Sequence, residues 1–272
     1  MYRRKPLAAA AAAALLLACL AAPAQAGRSC EEKALSPDTF RLALATAQQT
    51  QQRLEALAVP VAIIGRVGQD LSKYGLRYTH AGIVYRAGDG RWRVTELLNE
   101  CGSDRAELWH DGLGTFFLDD MFAFDTVLLL PPPAVAKSLG ERLQDGPLLR
   151  TMFSARYSLT AYPFATRYQN SNAWVLETLA AASSGNRLYS REQSQQWLQK
   201  NGYQPTELQL GALTRLGGRM FKANVAFDDH PNELRYSDRI RTVSVDSIIQ
   251  FFMARNEGWQ VEEIAAPVQK RY

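Results

Sequence analysis

The chain has 272 residues, 47% of them apolar, with 31 Lys and Arg against 27 Asp and Glu. The formal charge of +4 comes without any Lys/Arg cluster, which argues against nucleic acid as a partner. No apolar stretch reaches the roughly 20 residues a membrane-spanning helix needs, so no transmembrane segment is expected.

The first 26 residues read as a cleavable export signal. Arg3, Arg4 and Lys5 form a basic head, Leu7 to Leu20 is uncharged and made almost only of Ala and Leu, and Ala24-Gln25-Ala26 is a small-x-small cleavage site. Leu16-Leu17-Ala18-Cys19 also resembles a lipoprotein box, which would anchor the chain through Cys19, but Ala24-Gln25-Ala26 is the better match. A periplasmic or secreted protein is therefore expected, with residues 27–272 forming one domain around one core. Loss of the signal's three cations lowers the formal charge by three, from +4 to +1. Cys30 and Cys101 survive cleavage. In an oxidising compartment they are expected to pair, closing a long loop worth up to roughly 4 kcal/mol in the chain-entropy picture.

Pro37 and Asp38 open a helix over 38–58, carried by Phe40, Leu42, Leu44, Leu54 and Leu57 and ended by Pro60. Val59 to Val67 is a short, β-branched apolar run and predicts a buried strand, followed by a loop over Gly68 to Gly75. Arg77 to Arg86 and Arg91 to Leu98 predict two more strands around a Gly88-Asp89-Gly90 hairpin turn. Phe124 to Leu130 predicts another, stopped by Pro131-Pro132-Pro133. The second half predicts helices over Asn172 to Ser183, Ser190 to Lys200, Thr206 to Leu216 and Ser244 to Arg255, with a short strand near Trp259 to Ile264. Strands first and helices after make an α+β pattern: a small, largely antiparallel sheet plus helices. There are no repeats and no low-complexity segments.

Three histidines are present. His110 and His230 stand beside acids (Asp111, Asp228, Asp229) in turn-rich stretches whose spacing matches no ligand motif, so no metal site is expected there. His80 begins a strand, in Tyr78-Thr79-His80-Ala81-Gly82-Ile83, and Glu96 lies in the next, in Val94-Thr95-Glu96-Leu97. Adjacent antiparallel strands can set the two on one face, a base with its orienting carboxylate. A polar histidine satisfied at a strand edge is the plainer alternative. Tyr168-Gln169-Asn170-Ser171-Asn172-Ala173-Trp174 puts polar residues ahead of an apolar helix. Free N–H groups in that first turn suit an oxyanion, and the same residues suit ordinary helix capping.

These stretches resemble the circularly permuted branch of the papain-like NlpC/P60 superfamily, in which the His strand comes first, a polar third residue follows and the nucleophile helix comes last. A closer resemblance is to a secreted bacterial family known as domain of unknown function 2145, through Gly65 to Leu71, Tyr78 to Gly82, Cys101-Gly102, Gly112 to Phe117, Tyr162 to Phe164, Tyr168 to Trp174, and Gln196 to Leu198 with Gly202-Tyr203. The resemblance implies a permuted papain-like architecture with His80 as base, Glu96 as orienting residue and position 171 as nucleophile. Permuted NlpC/P60 enzymes carry Cys there; this chain carries Ser171. A serine hydroxyl is a weaker nucleophile and needs a well-placed base and oxyanion site. Asp70, beside Gln69 in the loop before the His strand, is a candidate to line a cleft, as is Tyr78, expected on His80's strand face. Asn170 and Asn172 are candidates to donate to substrate or to cap the helix.

Two functions follow as expectations. One is a hydrolase or acyltransferase acting on an amide or ester of a cell-envelope peptide or lipid. The other is a catalytically silent binding module on the same scaffold. Neither calls for a cofactor.

Overall fold

The computed structural model describes residues 34–119, 121–211, 214, 217 and 223–268. The export signal and Cys30 lie outside the described residues. The first helix, α1 (Pro37–Ala56), starts where Ser36 accepts the Thr39 N–H and Pro37 supplies a pre-set first helical residue. Strands β1 (Val61–Val67), β2 (His80–Arg86) and β3 (Trp92–Asn99) follow, joined by the expected loop and hairpin.

The next two elements were not foreseen. The stretch around His110, read as turn-rich, belongs to strand β4 (Ala106–Gly112), and helix α2 (Leu113–Leu118) follows it. The β4 sequence is polar because it is an edge strand, with most side chains in solvent, so the apolar signal of a strand is missing. Strand β5 (Ala123–Leu130) is succeeded by α3 (Pro133–Gln144) and α4 (Gly146–Arg150); the proline triplet that stops β5 also places Pro133 at the first position of α3.

Helices α5 (Ser171–Ser183) and α6 (Arg191–Lys200) start on Asn170 and Ser190 caps. The helix expected at Thr206 is instead strand β6 (Thr206–Gln209), paired antiparallel with β7 (Arg239–Thr242) beyond the short α7 (Asn232–Arg235). Thr206-Glu207-Leu208-Gln209 has a period of two, and Leu208 faces Ile240 across the ribbon. The rest of that expected helix lies largely outside the described residues. Helix α8 (Val245–Ala254), closed at its start by a Ser244–Ser247 capping box, leads to strand β8 (Gln260–Ile264).

Six strands make one antiparallel sheet in the order β4-β3-β2-β1-β5-β8. It is α+β, as expected, with β8 added to the strands of the first half. One face carries Ala62, Ile64, Val84, Val94 and Leu128 against Ala43 and Leu54 of α1 and Phe116 and Phe117 of α2. The other carries Ile63, Ile83, Leu97, Val127 and Leu129 against Leu139 of α3, Trp174 and Leu179 of α5 and Phe252 of α8. Alternation along each strand divides the apolar residues between the two cores.

Candidate active site

The sheet brings the first two candidate residues together. In the β1–β2 ladder Arg66 stands opposite His80, so their side chains share a face. The β2–β3 ladder pairs Ile83 with Thr95 and Val84 with Val94. One step further, Gly82 comes alongside Glu96, where a Cβ would lie 2.6 Å from Val94 Cγ1 and 3.4 Å from Glu96 Cβ. The bare backbone at Gly82 lets β3 come close enough for Glu96 to lean toward His80. Glu96 Oε2 lies 2.6 Å from His80 Nε2, and the carboxylate is buried at 2% exposure.

Asn172 ties the start of α5 to the start of β2. Its Oδ1 accepts the Ala81 N–H at 3.0 Å, and its Nδ2 donates to the carbonyls of Thr79 and Val243. The ladder of β2 with β3 ends at Ile83, and the Asn172 amide takes over the strand hydrogen bonding at Ala81. Asn170, the N-cap, accepts the Ala173 N–H and donates to Leu159 O and Thr242 Oγ1. Between these two anchored residues Ser171 opens the helix, its Oγ 3.1 Å from His80 Nδ1.

His80 thus bonds Ser171 through one ring nitrogen and Glu96 through the other. An ionised carboxylate only accepts, so it selects the tautomer with the proton on Nε2 and leaves the Nδ1 lone pair for the Ser171 hydroxyl proton. The Ser171 and Asn172 N–H groups belong to the first turn of α5, where no intrahelical acceptor exists and the helix dipole favours negative charge.

Two further parts of the site were not foreseen. The Tyr157 phenol stands beside Ser171, and burial pushes it up to about 12, so it stays protonated across the ordinary range. Its backbone N–H bonds Asp104 O, which docks it on the β3–β4 turn. Arg66 lies behind the His80–Glu96 pair, 4.0 Å from Glu96 Oε2, and forms an ion pair with Asp119. Its signal was one cation inside the apolar run Val61–Val67. Tyr157 had none, because it sits in an irregular segment with no periodic pattern.

The remaining candidates sit elsewhere or are already engaged. Asp70 is exposed, accepts the Ser72 N–H, and lines a surface groove with Leu76, Phe122 and Asp125. Its hydrogen bonds with Ser72 hold its carboxyl below the usual range. Tyr78 does not share His80's face: it is buried in the core with Val67, Ala81 and Ile83, and burial pushes its phenol up to about 12. β2 begins only at His80, so the period of two does not reach back to Tyr78. The amides of Asn170 and Asn172 are occupied by the scaffold. Cys101 lies in the exposed turn after β3, and its expected partner Cys30 is outside the described residues.

His110 bonds Thr95 Oγ1 at 2.8 Å, and His230 bonds Asp229 Oδ1 and Arg241 O. Among the described residues no group of three or more His, Cys, Asp or Glu stands close enough to hold a metal ion. No described helix is long and apolar enough to cross a membrane.

A protein-family model described as "Uncharacterized protein conserved in bacteria (DUF2145)" matches residues 53–252. No curated protein and no solved structure matches the chain.

Proposed function

The chain belongs to the bacterial DUF2145 family, and from that premise we propose that it is an exported hydrolase or acyltransferase with Ser171 as nucleophile, His80 as general base and Glu96 as the residue that orients the base. The observation that carries this is the single imidazole bonded to Ser171 Oγ at 3.1 Å and to Glu96 Oε2 at 2.6 Å. In the proposed reaction Nδ1 takes the Ser171 proton as Oγ attacks a carbonyl carbon. The Glu96 carboxylate stabilises the imidazolium, and the N–H groups at the start of α5 face the developing oxyanion. The imidazolium then returns the proton to the leaving amine or alcohol, and water or a second acceptor releases the acyl group.

The chain order of His strand, carboxylate strand and nucleophile helix supports placing the scaffold with the circularly permuted NlpC/P60 group, as one domain over residues 27–272. The export signal supports the periplasm or exterior as the compartment, an amide or ester of an envelope peptide or lipid as the substrate class, and a Cys30–Cys101 bridge. Ser171 bonds His80 and has the Tyr157 phenol beside it, polar surroundings that suit an oxygen nucleophile in place of the usual thiol.

A biotinylated fluorophosphonate tests the proposal on the purified protein. Stoichiometric labelling of Ser171, lost in Ser171→Ala and slowed by at least about 10²-fold in His80→Ala, is the expected result. A protein that takes no label at Ser171 while remaining folded would be a binding module on this scaffold.

A further inference from the structure

Arg66 is a cation at 4% exposure. It stands opposite His80 in the β1–β2 ladder, packs its guanidinium 5.0 Å from the Phe116 ring centroid, and lies 4.0 Å from Glu96 Oε2. Both terminal nitrogens turn to Asp119, one to its carboxylate and one to its backbone carbonyl. Asp119 caps the end of α2, so a residue of the helical layer grips a cation that reaches through to the candidate triad. Ion pairs this deeply buried are poor net sources of fold stability, because desolvation offsets the attraction. Their effect on neighbouring charges is strong for the same reason: little water screens them.

We propose that Arg66, held in place by Asp119, is a positioning residue. It fixes the Glu96 carboxylate so that Oε2 meets His80 Nε2, and it sets the pH at which the His80–Glu96 pair takes up a proton. The inference rests on the proposed role of His80 as base. Among the described residues the groups facing the pair are Arg66 on β1, Asp119 after α2, Asp111 on β4 and Tyr157 beside Ser171, while α5 presents only the neutral Ser171 and Asn172. Arg66 is the nearest cation in this set, and it disfavours protonation of the pair. Asp119 partly cancels it.

The test is an NMR titration of the His80 ring nitrogens in the whole protein and in three variants. Arg66→Gln removes a positive charge and is expected to raise the midpoint of the pair by about one pH unit or more. Asp119→Asn removes a negative charge and is expected to lower it. Arg66→Lys keeps the charge and is expected to stay near the parent. A merely structural role would disturb packing without opposite signs in the two variants. Shifts of the same sign, or no shift in either, would overturn the proposal. If Arg66→Gln fails to fold, the downward shift in Asp119→Asn with a parent-like Arg66→Lys still decides it. The measurement needs no turnover: an unreactive Ser171 would defeat the hydrolase proposal and leave this titration result standing, and the reverse holds equally.

Discussion

The imidazole of His80 is the residue on which the chemistry turns, because both of its nitrogens are committed. Glu96→Gln tests the orienting half. The amide is nearly isosteric, but it can donate to Nε2 and so favour the tautomer whose proton sits on the Ser171 side. The expected outcome is a folded protein with phosphonate labelling of Ser171 slowed by about 10²–10⁴-fold, read from the rate of label uptake. The places of His80 and Glu96 on neighbouring strands and of Ser171 at a helix start were legible in the sequence, while their grouping into one site came from the family resemblance. Tyr157 and Arg66 were not legible as site residues. One lies in an irregular segment, and the other looks like a stray charge until the ladder sets it opposite His80.

At the scale of elements, the join between α5 and β2 depends on one side chain. Asn172 gives an acceptor to Ala81 N–H and donors to Thr79 O and Val243 O. Asn172→Ala leaves these buried backbone groups without that partner and should cost about 2–4 kcal/mol, measured by urea unfolding. Ser171 should lose its alignment with His80 in the same variant, so labelling slows as well. A substrate-binding Asn172 would weaken binding and leave stability nearly unchanged. The sequence could not separate these roles, since Asn170-Ser171-Asn172 reads equally as cap chemistry and as site chemistry. It also hid β4, whose polar edge carries little strand signal, and it made Thr206 to Gln209 look helical because the partner strand β7 lies some thirty residues further on.

Across the whole molecule, buried polar networks tie the helices of the second half to one another, while apolar packing seats them on the sheet. Glu177 in α5 is bonded by Arg191 and Gln195 of α6 and by Gln169 of the approach to α5. Arg142 in α3, fully buried, is satisfied by Asn186, Thr151 and the carbonyls of Leu148 and Leu188. Asp246, in the first turn of α8, contributes a pH dependence. Burial raises its carboxyl above the usual range, against backbone N–H groups, including those of Arg77 and Tyr78, that pull it down. A carboxyl raised on folding favours the folded state below its unfolded value, and that benefit is lost as pH rises through the raised value. Asp246→Asn should therefore be more stable than the parent near pH 7, with the gain disappearing as pH falls below the carboxylate range, measured by urea unfolding at both ends.

The α+β plan, strands gathered early and helices mostly late, was legible from periodicity. The placing of β8 against β5 and the packing of helices on both faces were not, because they are set by contacts between segments far apart in the chain. If the fold activates whatever nucleophile stands at position 171, Ser171→Cys makes that activation measurable. A thiol there reports activation as its rate of alkylation. The predicted result is labelling of position 171 at least about 10-fold faster than an ordinary exposed thiol and slowed to that level when His80→Ala is added. Labelling at the ordinary rate, unchanged by the loss of His80, would mean that His80 does not activate position 171.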